Sequence, residues 1–234
     1  MSVERRLNDL GERWGLAPVQ IAMLARVLAV LATDPLAPSS VRGAVAVDVH
    51  VADSLSALAL ECVAGATVVA DLGSGAGFPG LVLAVALPDA RVALVESAAR
   101  KCEFLERLCG IAEIRNVRVV RARAEEWADG LGVHDLVVAR ALAPLAVVCE
   151  YGAPLLAMGG SLVAWKGAIA ESEGAAADRA APQLGLKRGE VVRSEPYAGS
   201  VAHHLHVYRK VALTPPGFPR RAGVARKRPL GAER

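Results

Sequence analysis

The sequence predicts an α/β protein: a doubly wound, mostly parallel sheet with an antiparallel last strand, preceded by an N-terminal helical cap. Three observations carry that prediction. From Thr67 onward, short β-branched runs alternate with helix-length segments, the pattern of repeated βαβ units. The first run, Val68-Val69-Ala70-Asp71-Leu72, breaks into a glycine-rich turn, Gly73-Ser74-Gly75-Ala76-Gly77-Phe78-Pro79-Gly80, and an apolar segment follows. The last two runs, near residues 187–194 and 202–210, have no helix between them, so a closing hairpin antiparallel to the rest is expected. At 234 residues the chain is long enough to bury a sizeable core.

The elements follow in order. Residues 3–16 read as an amphipathic helix, because Leu7, Leu10 and Trp14 share one face and Gly15 falls near its end. Pro18 opens a second helix to about Thr33, and Asp34 to Ser40 is a proline-rich loop. A third helix spans roughly 47–63, with His50 and Asp53 three apart on one side. Strands are predicted near 67–72, 91–96, 117–122, 134–140 and 161–166, and helices near 79–87, 98–109, 124–130 and 143–157. Gly159-Gly160 reads as a turn before the fifth strand, and residues 168–182 as a further helix. The division is therefore a cap at 1–66 belonging to the same domain, a core at 67–210 and a basic tail at 211–234.

Composition narrows the class. Apolar residues make up 53% of the chain and mean hydropathy is +0.36. No run approaches the ~18 apolar residues of a membrane span. Residues 17–32 come nearest, and Gln20 and Arg26 interrupt them. The start, Met1-Ser2-Val3-Glu4-Arg5-Arg6, is not followed by the apolar stretch of a signal peptide, so a cytoplasmic protein is expected. Cys62, Cys102, Cys109 and Cys149 are scattered without a C-x-x-C pair, which speaks for reduced thiols, most of them buried, and against zinc. His204 and His206 share a strand face, but no carboxylate or cysteine completes a metal set, so no metal is assigned. The net charge is +3, yet residues 209–234 hold eight Lys/Arg against one acid. A mildly acidic body with a basic tail suggests a polyanionic partner.

The glycine turn has two readings. Gly75-Ala76-Gly77-Phe78-Pro79-Gly80 fits the dinucleotide pattern G-x-G-x-x-G, which leaves an NAD-dependent oxidoreductase open. Gly73-Ser74-Gly75-Ala76-Gly77 fits the shorter G-x-G-x-G of class I methyltransferases. Asp71 favours the second. A carboxylate there repels a pyrophosphate, whereas S-adenosylmethionine carries an ammonium and a sulfonium. Glu96, ending the second strand, stands where an acid accepts from ribose hydroxyls, a feature both cofactors share. Ligands of such sheets lie at the carboxyl ends of the strands. That edge offers Gly73, Ser74, Gly75, Gly77 and Phe78 after strand one, Arg140 at the end of strand four and Lys166 at the end of strand five. An arginine closing a run of buried valines is costly unless it meets an anion or acceptor.

These residues resemble a specific family. Asp71-Leu72-Gly73-Ser74-Gly75-Ala76-Gly77-Phe78-Pro79-Gly80 is similar to the signature of the bacterial small-subunit ribosomal RNA methyltransferase G family, also called GidB or glucose-inhibited division protein B. His50-Val51-Ala52-Asp53-Ser54-Leu55, Val137-Val138-Ala139-Arg140-Ala141, Trp165-Lys166-Gly167, and the tail from Pro219 to Gly223 with Lys227 to Leu230 resemble its other blocks, in order. The resemblance implies a class I S-adenosylmethionine-dependent, Rossmann-like sheet and methylation of a guanine N7 in the decoding-region loop of 16S rRNA. It also implies cofactor contacts from Ala124 and Glu125, and aligns Arg140 with the family's arginine at the transfer point. We assign S-adenosylmethionine to Asp71, Gly73, Ser74, Gly75, Gly77, Phe78, Glu96, Ala124, Glu125 and Arg140. Catalysis is assigned to Arg140 and Lys166, and RNA contact to His50, Arg220, Arg221, Arg226, Lys227 and Arg228. The partner is then 16S rRNA or the small ribosomal subunit, and the protein a monomer. Neither the Asn/Asp-Pro-Pro-Tyr of amino methyltransferases nor a placed cysteine nucleophile is present, which fits N7, an unprotonated lone pair that needs no base. A non-catalytic RNA-binding or ribosome-assembly module remains the non-enzyme alternative.

Overall fold

The computed structural model describes residues 2–232; Met1, and Glu233 and Arg234 of the tail's charge count, lie outside them. Helix α1 (Val3–Trp14) starts where the Ser2 hydroxyl accepts from the Arg5 amide at 3.3 Å and stops at Gly15, whose φ of 66° is the left-handed cap an L side chain resists. Helix α2 (Pro18–Thr33) opens on its proline, as read. The third cap helix is not continuous. It runs as α3 (Gly43–Ala46), a π-helical turn (Val47–Ala52), α4 (Asp53–Leu55), a 3-10 turn (Ser56–Ala59) and α5 (Glu61–Ala64). Val47, Val49 and Val51 crowd the preceding turn. The Ser54 and Ser56 hydroxyls donate to the carbonyls of His50 (2.6 Å) and Asp53 (2.7 Å), and Leu60 turns extended.

Seven strands form one sheet: β1 (Val68–Leu72), β2 (Arg91–Glu96), β3 (Val117–Arg121), β4 (His134–Arg140), β5 (Leu156–Lys166), β6 (Leu186–Ser194) and β7 (His203–Lys210). Their order is β3-β2-β1-β4-β5-β7-β6. Strands β1 to β5 pair in parallel, and β7 is antiparallel to both β5 and β6. The closing hairpin is thus not wholly reversed: β7 inserts between β5 and β6, so β6 runs with the parallel strands. Strand β5 begins five residues earlier than expected, and Gly159-Gly160 lies inside it. Gly159 has φ 79°, a Cβ on Gly160 would lie 2.9 Å from the His134 carbonyl oxygen, and the β4–β5 register shifts there, so the pair makes an irregularity rather than a turn.

Helices α6 (Gly80–Ala86), α7 (Ala99–Ala112), α8 (Leu145–Gly152), α9 (Glu171–Gln183) and α10 (Val224–Lys227) complete the chain. The helix expected at 124–130 is instead two 3-10 turns, Ala124–Glu126 and Ala128–Gly130, folded around the buried Trp127 ring. One core layer packs the cap, α6 and α7 on the sheet; the other packs α8 and α9. The order reverses between β1 and β4, which places the crevice at the carboxyl ends of those two strands.

The tail folds onto this second layer. Ala225 is fully buried, and Phe218 and Leu230 pack beside it. Arg220 is not a free RNA contact: its Nε donates to Glu150 Oε1 at 2.7 Å, its backbone N–H to the same oxygen at 3.3 Å, and Nη2 to the Arg228 carbonyl at 2.9 Å. Lys210, counted with the tail's charge, is buried on β7 and donates to the Ala153 carbonyl at 2.7 Å. No helix among the described residues is long and apolar enough to cross a membrane.

Glu150 is 1% exposed, so its ion pair with Arg220 sets a stability test. Arg220→Ala leaves a buried carboxylate without its cation and should cost about 3–5 kcal/mol in urea unfolding. Replacing both partners with apolar residues of similar volume should recover most of that loss.

Candidate active site at the carboxyl ends of β1 and β4

The glycine loop is held from below by the end of β2. The amides of Gly73 and Ser74 donate to the Val95 carbonyl at 2.8 and 3.1 Å, and Gly77 donates to the Ser74 carbonyl at 2.7 Å. Gly73, Gly75 and Gly77 have φ of 68°, 57° and 99°, where a Cβ is strained. At Gly77 it would also lie 2.2 Å from a Leu81 methyl. Glu96 accepts from the Gly75 amide at 3.1 Å and the Ala98 amide at 2.9 Å, with Lys101 Nζ 3.8 Å away. The acid expected at the ribose therefore also fixes the loop that carries the glycines.

Asp71 is fully buried at the end of β1. Its Oδ2 accepts from the Gly80 amide at 3.1 Å, and its Oδ1 has no hydrogen-bond partner. Burial pushes its carboxyl up to about 6, against the lowering effect of the Gly80 amide. Gly80 must be glycine for this arrangement, since a Cβ would fall 2.6 Å from Oδ2 and 2.4 Å from a Leu94 methyl.

Two cavities flank this edge. The first, about 340 Å³, is lined by Gly73, Glu96, Lys101, Ala124, Glu125, Leu142 and Tyr151, and by Gly223 and Arg226 of the tail. Four of the assigned cofactor residues thus share one wall: Gly73, Glu96, Ala124 and Glu125. Asp71, Ser74, Gly75, Gly77 and Phe78 stand behind that wall. Ser74 donates to the Asp71 carbonyl at 2.9 Å, and Phe78 is buried against His50. The second cavity, about 440 Å³, is lined by Asp53, Arg140, Trp165, Lys166, His203 and His204 among others. Ala141 lines both cavities with φ 54°, a left-handed conformation unusual for a residue with a Cβ.

Arg140 joins β4 to the cap. Its Nη1 donates to the Val49 carbonyl and to Asp53 Oδ2, both at 2.8 Å, and its Nη2 lies 3.3 Å from His50 Nδ1. Asp53 Oδ1 is 3.0 Å from His203 Nδ1, and the Asp53 carbonyl accepts from Trp165 Nε1 at 3.1 Å. His50 is not presented to RNA. It is buried, stacks on Phe78 with centroids 4.3 Å apart, and pairs with the Ser39 hydroxyl at 2.9 Å. Burial first, then the charges of Arg140 and Arg42, push it down to about 4, so it is neutral at pH 7. Lys166 donates to Glu173 Oε1 at 2.7 Å and the Ala143 carbonyl at 2.8 Å, and Glu173 accepts from the Leu145 amide at 2.9 Å. It braces the loop after β4 as well as lining the second cavity. Sequence reasoning noted Asp53 without assigning it and missed His203, Tyr151 and Leu142. The i, i+3 spacing of His50 and Asp53 was the one local signal; the others are assembled by packing. Among the described residues no group of three or more His, Cys, Asp or Glu is placed to hold a metal ion.

The fold is shared with solved methyltransferases. A precorrin-6y C5,15-methyltransferase from Geobacter metallireducens superposes with TM-score 0.51 at 18% identity, over 68% of this chain and 87% of that one. A predicted O-methyltransferase from Agrobacterium tumefaciens gives 0.52 at 21%, over 69% and 81%. The family description rRNA small subunit methyltransferase G, GidB, matches residues 44–197. The chain belongs to that family. A relative named ribosomal RNA small subunit methyltransferase G from Chloroflexus aggregans is 38% identical over 98% of this chain and 99% of its own. One of the same name from Pelotomaculum thermopropionicum is 40% identical over 77% of each. Membership decides the glycine turn in favour of the methyltransferase reading, with S-adenosylmethionine as cofactor, over the dinucleotide one.

Asp71 and His50 give opposed pH dependences. Asp71 has its proton affinity raised from 3.8 to about 6 by folding, so its contribution is fully present below about 4 and is lost as pH rises through about 6. His50 is lowered from 6.5 to about 4, so its contribution is present above about 6.5 and lost as pH falls through about 4. Relative to the wild type, Asp71→Asn should make stability rise more steeply with pH across this window, and His50→Gln should make it rise less steeply. Each change should be on the order of 2–3 kcal/mol in urea titrations.

Proposed function

We propose that the chain transfers the methyl group of S-adenosylmethionine to N7 of a guanine in the decoding-region loop of 16S rRNA, acting in the cytoplasm as a monomer. The observation that carries this reading is the meeting of two cavities at Ala141. One suits a nucleoside-bearing cofactor; the other, lined by Arg140, Lys166 and His203, suits a flipped purine. The residues fit the cofactor. The volume of about 340 Å³ is within the usual small-molecule range, Glu96 and Glu125 line it, and the orphaned Oδ1 of Asp71 is a buried anionic atom beside the loop. Bound S-adenosylmethionine supplies a sulfonium methyl group.

The chain's own task is then to place and desolvate the base. Guanine N7 carries a free lone pair, so no residue need remove a proton; alignment is the main contribution, up to ~7–11 kcal/mol. Asp53 is engaged by Arg140 and His203, which keeps its carboxylate from acting as a base. Arg140 holds the cap against β4 in the lining of the second cavity, and Lys166 holds the loop after β4, so both shape the proposed base site as much as they charge it. Exposed Arg221, Lys227 and Arg228 on the tail are available to phosphates, whose binding weakens steeply with salt.

Methyl-labelled cofactor should label 16S rRNA, and borohydride–aniline cleavage should map the label to one guanine N7. Label elsewhere on the RNA would overturn the N7 assignment. Gly73→Asp should abolish binding of S-adenosylhomocysteine: its Cβ would fall 2.6 Å from a Leu142 methyl, and it adds negative charge at the pocket wall.

Arg140 offers a sharper test. One ammonium cannot reach Val49, Asp53 and His50 together, so Arg140→Lys should lose most of the single-turnover rate although the charge is kept. Arg140→Ala should lose that rate too, and about 3–5 kcal/mol of stability, because Asp53 is left buried. A nearly full rate for Arg140→Lys would reduce Arg140 to a source of field.

A further inference from the structure

The basic tail was read from the sequence as an RNA grip alone, and the structure puts part of it to a second use. Gly223 and Arg226 line the first cavity together with Gly73 of the glycine loop. The Gly223 amide donates to Glu125 Oε1 at 3.1 Å, and Arg226 Nη2 donates to the Leu142 carbonyl at 2.9 Å. Each bond ties the tail to a different wall of that cavity, Glu125 after β3 and Leu142 after β4. Tyr151 of α8 lines the cavity between them. Its phenol is pushed up by burial and then by the Glu125 charge, with Arg226 opposing.

The segment is pinned at three further points. Ala225 is fully buried between Gly223 and Arg226, Arg220 pairs with the buried Glu150 upstream, and the Gly231 carbonyl accepts from Arg179 Nε at 2.7 Å downstream. Anchors on both sides make this segment a strap with a fixed place.

We propose that residues 220–231 are a strap forming a wall of the cofactor pocket, with Arg226 a cofactor-positioning residue that acts through Leu142, while the Gly223 amide holds Glu125. The inference rests on the methyltransferase reading above and adds residues to its cofactor site. Arg226, itself exposed, takes on this second role beside any RNA contact. Arg221, Lys227 and Arg228 remain exposed on the same strap, so phosphates that settle on them also hold the pocket closed. By linkage, cofactor and RNA should each tighten the other.

Calorimetry with S-adenosylhomocysteine on the full chain tests this. Arg226→Ala should weaken binding about tenfold or more, the scale of one lost charge-assisted hydrogen bond, while near-UV circular dichroism stays native. In the wild type, the ligand should slow hydrogen exchange of the amides from Val224 to Arg228. It should also tighten binding of a 16S rRNA fragment, and that gain should vanish in Arg226→Ala. Equal affinity in wild type and Arg226→Ala, or exchange at Val224 to Arg228 that ignores the ligand, overturns the strap and leaves the methyltransferase reading standing. A wild type that does not bind S-adenosylhomocysteine overturns both.

Discussion

Asp53 lies buried where three parts of the chain meet, and the geometry of the second cavity depends on it. Its two carboxylate oxygens face Arg140 from β4 and His203 from β7, and its carbonyl holds the indole of Trp165 on β5. A carboxylate this deep is tolerable only with cations and donors around it. The cap is therefore fastened to the sheet's carboxyl edge by charge as well as by apolar packing. His50 adds a neutral ring stacked on Phe78, so the glycine loop is tied to the same joint.

The two acids near the ends of β1 and β2 divide the work around the glycine loop. Glu96 gives its oxygens to loop amides and so fixes the backbone. Asp71 caps Gly80 with one oxygen and keeps the other unpaired, at a cost in stability above pH 6. An unpaired buried carboxylate oxygen beside the glycine loop is a local rule broken where the proposed cofactor site would use it. Ala141, left-handed at the seam of the two cavities, is a second such place.

The legible parts of the site were those carried by short spacings. Gly73-x-Gly75-x-Gly77 after an apolar run announces a turn at positive φ, and the acid two residues before it announces its charge. The misread parts were contacts between distant segments. The basic residues of the tail looked equivalent in a list of charges, yet Arg220 lies on Glu150 70 residues away and Arg226 on Leu142, 84 away. His50 carried no local sign that Ser39, Phe78 and Arg140 would enclose it. The cap's third helix was misjudged as continuous because its valines and serines have the right period but disturb the helical turn.

By itself the sequence determined the α/β class, the strand–turn–helix at Asp71 to Gly80 and the family, since alternation, glycine spacing and motif order are properties of neighbours along the chain. Only the tertiary structure decided that β7 inserts between β5 and β6, that Arg140 faces the cap through Asp53, and that the tail lines the first cavity. Those outcomes depend on which buried charge finds a partner and which apolar surface is left to cover. The packed chain settles both, through residues that no local pattern links.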